Sequence, residues 1–228
     1  PYVLTKEPLG LQVIEGLIFP AYEIKNKPLL KLHLEETLRY AEELYHVNES
    51  FEFNESNVFD AVMEEIYRVS SLGITGFDSQ TAGNALPECI SSLSGILDNI
   101  SFYQAGFKNK LPGKFEQLQH LFNDAILYLR EHPEFNKFNR MEFINRFLNP
   151  IAKITGEYKT VNNLADNPSS RYYSAIKKNN TLFAAGAFNP YRFLDDFTST
   201  PQKIEMGRQL FFENQLSSNN KQSCASCH

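Results

Sequence analysis

Phe115-Glu116-Gln117-Leu118-Gln119-His120-Leu121-Phe122-Asn123-Asp124-Ala125-Ile126-Leu127-Tyr128-Leu129 decides the fold class. Phe115, Leu118, Leu121, Phe122, Ala125, Ile126 and Leu129 recur at three- and four-residue spacing, which gathers them on one side of an α-helix and leaves polar residues on the other. The same spacing returns upstream in Leu34, Leu38, Ala41, Leu44 and Tyr45, and in Val58, Phe59, Val62, Ile66 and Val69. Asn54 and Ser56 are expected caps for the second set, with Asp60, Glu64 and Glu65 early in the helix. Leu86 to Phe102 is a further apolar helix entered through Pro87. Met141 to Tyr158 reads as another, with Pro150 set to kink or interrupt it. Val13 to Phe19 reads as the end of a helix stopped by Pro20.

No alternating run with a hairpin turn stands out. The fold class is therefore all-α, a helical bundle with short connections. Residues 1–161 are expected to form this N-terminal domain. The composition changes at Asn162-Asn163-Leu164-Ala165-Asp166-Asn167-Pro168, and residues 162–200 read as a linker. Pro201 to Phe212 then resumes a helical pattern, with proline in the first turn and Ile204, Leu210 and Phe211 at helical spacing. A polar, Asn- and Ser-rich loop from Glu213 to Ser223 leads into Cys224.

The chain has 228 residues, is 42% hydrophobic and holds 19 Phe and 11 Tyr but no Trp. A formal net charge of -5 argues against non-specific nucleic-acid binding, which needs a basic face. No apolar run is long enough for a transmembrane helix. The first residues lack the basic start and apolar stretch of a signal peptide, so the chain reads as a mature or trimmed form. Of the three cysteines, Cys89 stands alone and reads as a buried small hydrophobe. His33, His46, His120 and His132 read as surface or helix-end residues. His132-Pro133 sits where a helix should stop, which suits a cation at the C-terminal dipole. The pairs Glu35-Glu36, Glu42-Glu43 and Glu64-Glu65 read as solvated faces, because adjacent residues do not share one side of a helix. The tyrosines and phenylalanines fit either an electron-hopping route or an ordinary core.

Cys224-Ala225-Ser226-Cys227-His228 carries the chemistry. Two thiols in Cys-x-x-Cys can reach the two vinyl groups on one haem edge and form thioethers. The next residue, His228, is then placed to give iron its proximal nitrogen. A zinc site would need a second ligand pair, and a thioredoxin-like Cys-x-x-Cys would need a βαβ context. Neither is evident, although a redox or metal role for the thiols stays open.

Gly207-Arg208-Gln209-Leu210-Phe211-Phe212-Glu213-Asn214-Gln215-Leu216-Ser217, running through a polar loop into Cys224, Cys227 and His228, resembles the first haem-binding segment of bacterial di-haem cytochrome c peroxidases, the MauG-containing family. The resemblance covers about the last 30 residues and makes 201–228 the truncated start of a cytochrome c-type domain. It implies covalent haem c on Cys224 and Cys227 with His228 on the iron. It also implies hydrogen peroxide as substrate and a small cytochrome or cupredoxin as electron donor. Maturation of haem c implies export to the periplasm or cell envelope.

The family also implies a second haem motif, a distal acid and a tryptophan, none of which is in this sequence. The 228 residues alone are thus expected to be inactive. A haem electron-transfer or partner-binding module, or MauG-like protein oxidation, is the alternative. Upstream, Leu72-Gly73-Ile74-Thr75-Gly76-Phe77-Asp78 and Leu182-Phe183-Ala184-Ala185-Gly186-Ala187-Phe188-Asn189-Pro190 look like features of the N-terminal extension on some of these peroxidases. Gly10-Leu11-Gln12-Val13-Ile14-Glu15 is similar to the Gly-x-His-x-x-Glu motif of imelysin-type helical domains, with Gln12 in the histidine position. The resemblance implies an imelysin-like scaffold without its site.

Overall fold

The computed structural model describes residues 8–165, 200–218 and 220–226, and these residues are helical with no strand among them. The helices are α1 (Leu11–Ile18), α2 (Lys27–Ser50), α3 (Glu55–Arg68), α4 (Ala85–Ser101), α5 (Gln104–Lys110), α6 (Lys114–Glu131), α7 (Arg140–Phe143), α8 (Asn149–Val161) and α9 (Pro201–Phe211). The 182–190 feature, most of the linker, Asn219, Cys227 and His228 lie outside the described residues.

The core lies among α3, α4, α6 and α8, with α5 packed on α6 and α8. Phe59, Leu93, Ile100, Phe107, Leu118, Phe122, Phe143 and Ile151 are completely buried. These are the apolar positions of the α3, α4 and α6 stripes, joined by Phe107 of α5, Phe143 of α7 and Ile151 of α8. Burying such side chains is the main force holding the helices together.

Local signals set the helix ends. Asn54 caps α3: its side chain accepts the Asn57 amide at 2.9 Å, and the Asn57 side chain accepts the Asn54 amide at 3.2 Å. Asn54→Ala is expected to cost about 1 kcal/mol in urea unfolding. Ser56 lies inside α3, and its hydroxyl donates to the Ala165 carbonyl. At the other end of a helix, His132 Nδ1 lies 2.8 Å from the Tyr128 carbonyl at the C-terminus of α6.

Pro150 falls in the first turn of α8, directly after a wide π-turn at Ile144–Leu148. The interruption expected at this proline is thus a change of helical pitch before it, which accommodates the missing amide. A second π-turn, Val69–Gly73, ends α3, and no signal in the residues announced it. Gly73 is needed there, since a Cβ would stand 2.6 Å from Cys89 Sγ on α4.

Two expectations need correction. The helix carrying Leu34, Leu38, Leu44 and Tyr45 forms, but these residues are 48–69% exposed instead of buried in the bundle. α2 meets α1, while the core is closed by α3, α4, α6 and α8. Periodicity shows which side of a helix is apolar and does not say what covers it. His33, expected at the surface, is buried. It sits on the first half of α2, the part that is not wholly exposed.

Cys89 is buried, and burial, aided by the nearby Asp78 charge, pushes its thiol up to about 12. Burial also pushes the Tyr67 hydroxyl up to about 12. Both groups ionise first in the unfolded chain, so stability is intact below pH ~9 and falls as pH rises toward 12. Urea unfolding at stepped alkaline pH is expected to show this decline, with Cys89→Ala flattening its first part.

Candidate functional site

α9 opens at Thr200, whose hydroxyl accepts the Lys203 amide at 3.3 Å, with Pro201 in the first turn. Proline costs nothing there because its amide would be unpaired in any case. Arg208 grips Glu205 through two bonds of 2.8 and 2.7 Å, and this holds the Glu205 carboxyl below its usual range. Ile204, Met206, Leu210, Phe211 and Phe212 are exposed, with Phe211 edge-on to Phe212 at 5.3 Å.

After the helix the chain turns on short side-chain bonds. The Glu213 carboxylate accepts the Gln215 amide at 3.0 Å and starts a 3-10 turn at Asn214–Leu216. Ser217 Oγ donates to the Asn214 carbonyl at 2.8 Å and accepts the Gln222 amide at 3.3 Å. Cys224–Ser226 form a last 3-10 turn. Ser226 closes it: its amide donates to the Ser223 carbonyl at 3.0 Å and its hydroxyl accepts the Ser223 amide at 3.0 Å.

Cys224 is a free thiol, exposed on this turn. Cys227 and His228 lie outside the described residues.

The other sequence candidates fall elsewhere. Glu15 Oε1 accepts Ser79 Oγ at 3.1 Å and the amides of Thr81 and Ala82 at 3.1 and 2.6 Å. Gln12 Nε2 donates to the Phe77 carbonyl at 3.1 Å. The Gly10-to-Glu15 motif thus fastens α1 to the loop before α4. Arg140 joins the turn before α7 to the residue after the Val69–Gly73 turn, donating to the Phe138 and Phe135 carbonyls at 3.2 and 3.1 Å and to the Ile74 carbonyl at 2.8 Å. His46 and His120 are exposed, as are Glu35, Glu42, Glu43 and Glu64. Among the described residues, no group of three or more His, Cys, Asp or Glu is placed to hold a metal ion. Nor is any described helix long and apolar enough to cross a membrane.

Two polar pairs between α3 and α8 escaped the sequence reading. The Tyr158 hydroxyl donates to Glu55 Oε1 at 2.5 Å. The Lys159 ammonium donates to Asp60, with both side chains buried. Neither pair has a local signal, because about a hundred residues separate the partners and only packing brings them together.

An exposed thiol on a short turn after a helix, and the Cys-x-x-Cys-His spacing that follows in the sequence, are the features of this segment. Residues 201–228 match the family model described as di-haem cytochrome c peroxidase. No curated protein and no solved structure matches the chain.

Proposed function

We propose that this chain is the N-terminal part of a di-haem cytochrome c peroxidase. Its helical domain, residues 1–161, leads through a linker at 162–200 to the start of the first haem domain at 201–228. The family match over 201–228 carries this reading, because it ends on the motif that attaches haem. Cys224 and Cys227 would hold haem c covalently and His228 would bind its iron. Bound there, the haem supplies the redox chemistry of the family. The Ser223–Ser226 bonds hold the first thiol on a short exposed turn, where it would be open to a haem vinyl group.

The complete protein reduces hydrogen peroxide with electrons from a small cytochrome or cupredoxin, and works in the periplasm or cell envelope, where haem c is matured. The test is steady-state peroxide reduction by the complete, exported gene product, with a reduced small cytochrome as donor. Peroxide-dependent oxidation of that donor is expected, and its loss in the Cys224→Ala, Cys227→Ala double variant. A haem-loaded protein that passes electrons but leaves peroxide untouched would overturn the peroxidase reading in favour of electron transfer.

A further inference from the structure

The chain has 11 Tyr and no Trp, so tyrosine is its most readily oxidised aromatic residue. Tyr158 differs from the exposed tyrosines of α2 in three ways. Its hydroxyl is 2.5 Å from a carboxylate oxygen of Glu55, the length of a charge-assisted O–H···O bond. Its ring lies between two others, stacked on Phe59 at 4.4 Å and on Phe107 at 4.1 Å. It is 1% exposed.

Tyr128 offers a useful contrast. It also neighbours a carboxylate, Glu142, but Arg146 donates to Glu142 at 2.7 Å and holds that carboxyl below its usual range. A carboxylate already stabilised by a guanidinium is a poor proton acceptor. The bonds recorded for Glu55 include no such cation.

We propose that Tyr158 and Glu55 form a proton-coupled redox pair, a site where a metal-centred one-electron oxidant leaves a tyrosyl radical. One electron leaves the phenol and lowers the charge of the oxidant by one. The phenolic O–H bond breaks as its proton bonds to the Glu55 carboxylate. The products are a neutral phenoxyl radical, a carboxylic acid and the reduced oxidant, and return of an electron reverses each change. An oxidised phenol is a strong acid, so its proton needs an acceptor within hydrogen-bond reach, and Glu55 is already there.

Burial, then the Glu55 bond, raises the Tyr158 hydroxyl above the usual phenol range, so the protonated phenol is the species oxidised and its proton has the Glu55 carboxylate to go to. Half-buried Tyr103 is edge-on to Phe59 at 5.2 Å and brings the electron path toward the surface. A radical so deeply enclosed is protected from coupling with another tyrosine.

The inference is independent of haem attachment and is tested on the 228-residue chain with photogenerated tris(bipyridine)ruthenium(III). In one variant, 3,5-difluorotyrosine stands at position 158, which keeps the hydroxyl and the ring stack. Freeze-quenched electron paramagnetic resonance is expected to show a persistent radical with fluorine splitting. Glu55→Gln keeps a hydrogen-bonding side chain but removes the base, and is expected to slow radical formation roughly 100-fold. A persistent radical without fluorine splitting, or an unchanged rate in Glu55→Gln, would overturn the proposal. Circular dichroism of both variants establishes that the fold is kept.

Discussion

Lys159→Met is expected to lower the unfolding free energy by about 3–5 kcal/mol in urea denaturation. The Lys159 side chain is 1% exposed and that of Asp60 is 7% exposed, so the two opposite charges share a site cut off from water. Burial pulls the Lys159 ammonium below its usual pKa, and the bond and charge of Asp60 oppose that pull. Methionine fills much of the lysine volume but removes the charge, leaving the Asp60 carboxylate buried without its ammonium.

The cost comes from that stranded charge more than from the lost attraction. The double variant Asp60→Leu with Lys159→Met is therefore expected to recover most of the stability. A single-variant loss below about 1 kcal/mol would mean that water reaches the pair and that it behaves as a surface ion pair.

Replacing Cys224 and Cys227 together with alanine is expected to abolish covalent haem in protein matured by c-type machinery, while leaving the helical domain folded. The basis is local. Cys224 is on an exposed turn whose recorded bonds run between Ser217, Gln222, Ser223 and Ser226, so removing its sulfur disturbs no core contact. Each single variant is expected to retain at most one thioether, with the haem held less securely. His228→Ala is expected to leave the thioethers possible but to change the axial field and the visible spectrum. Thermal unfolding followed at helical wavelengths should coincide for wild type and the double cysteine variant. A large shift would mean that the thiols support the bundle.

A different substitution probes the aromatic packing between α5 and α8. The hydroxyl of Tyr158 approaches Gly106 so closely that a Cβ there would collide with it. Gly106→Ala is expected to lose about 1–3 kcal/mol, despite the better helix propensity of alanine, because the Phe59–Tyr158–Phe107 stack must shift.

The helices were legible wherever a long 3.6-residue period met a cap or a proline. α6 follows its apolar spacing from Phe115 to Leu129, α3 starts at the Asn54 cap, and α4 takes Pro87 in its first turn. Cys89 is the buried small residue its isolation implied. The fate of the Leu34-to-Tyr45 stripe was not legible, because amphipathicity specifies a face but not its cover. The π-turn at Val69–Gly73 was equally hidden: it sets Gly73 close against Cys89, a tertiary contact without a residue signature. The pairs Glu55–Tyr158 and Asp60–Lys159 joined residues whose sequence neighbours reveal nothing of the other partner. The C-terminal motif was the reverse case. Its meaning lies in covalent spacing, Cys-x-x-Cys-His, which needs no folding information to read.

The direct measurement is a pyridine haemochrome spectrum of the exported chain after co-expression with c-type haem maturation enzymes. A covalent haem with both vinyl groups saturated by thioethers is predicted, and it should disappear in the Cys224→Ala, Cys227→Ala double variant. A colourless product under those conditions, with the two thiols joined as a disulfide or bound to zinc, would contradict the assignment.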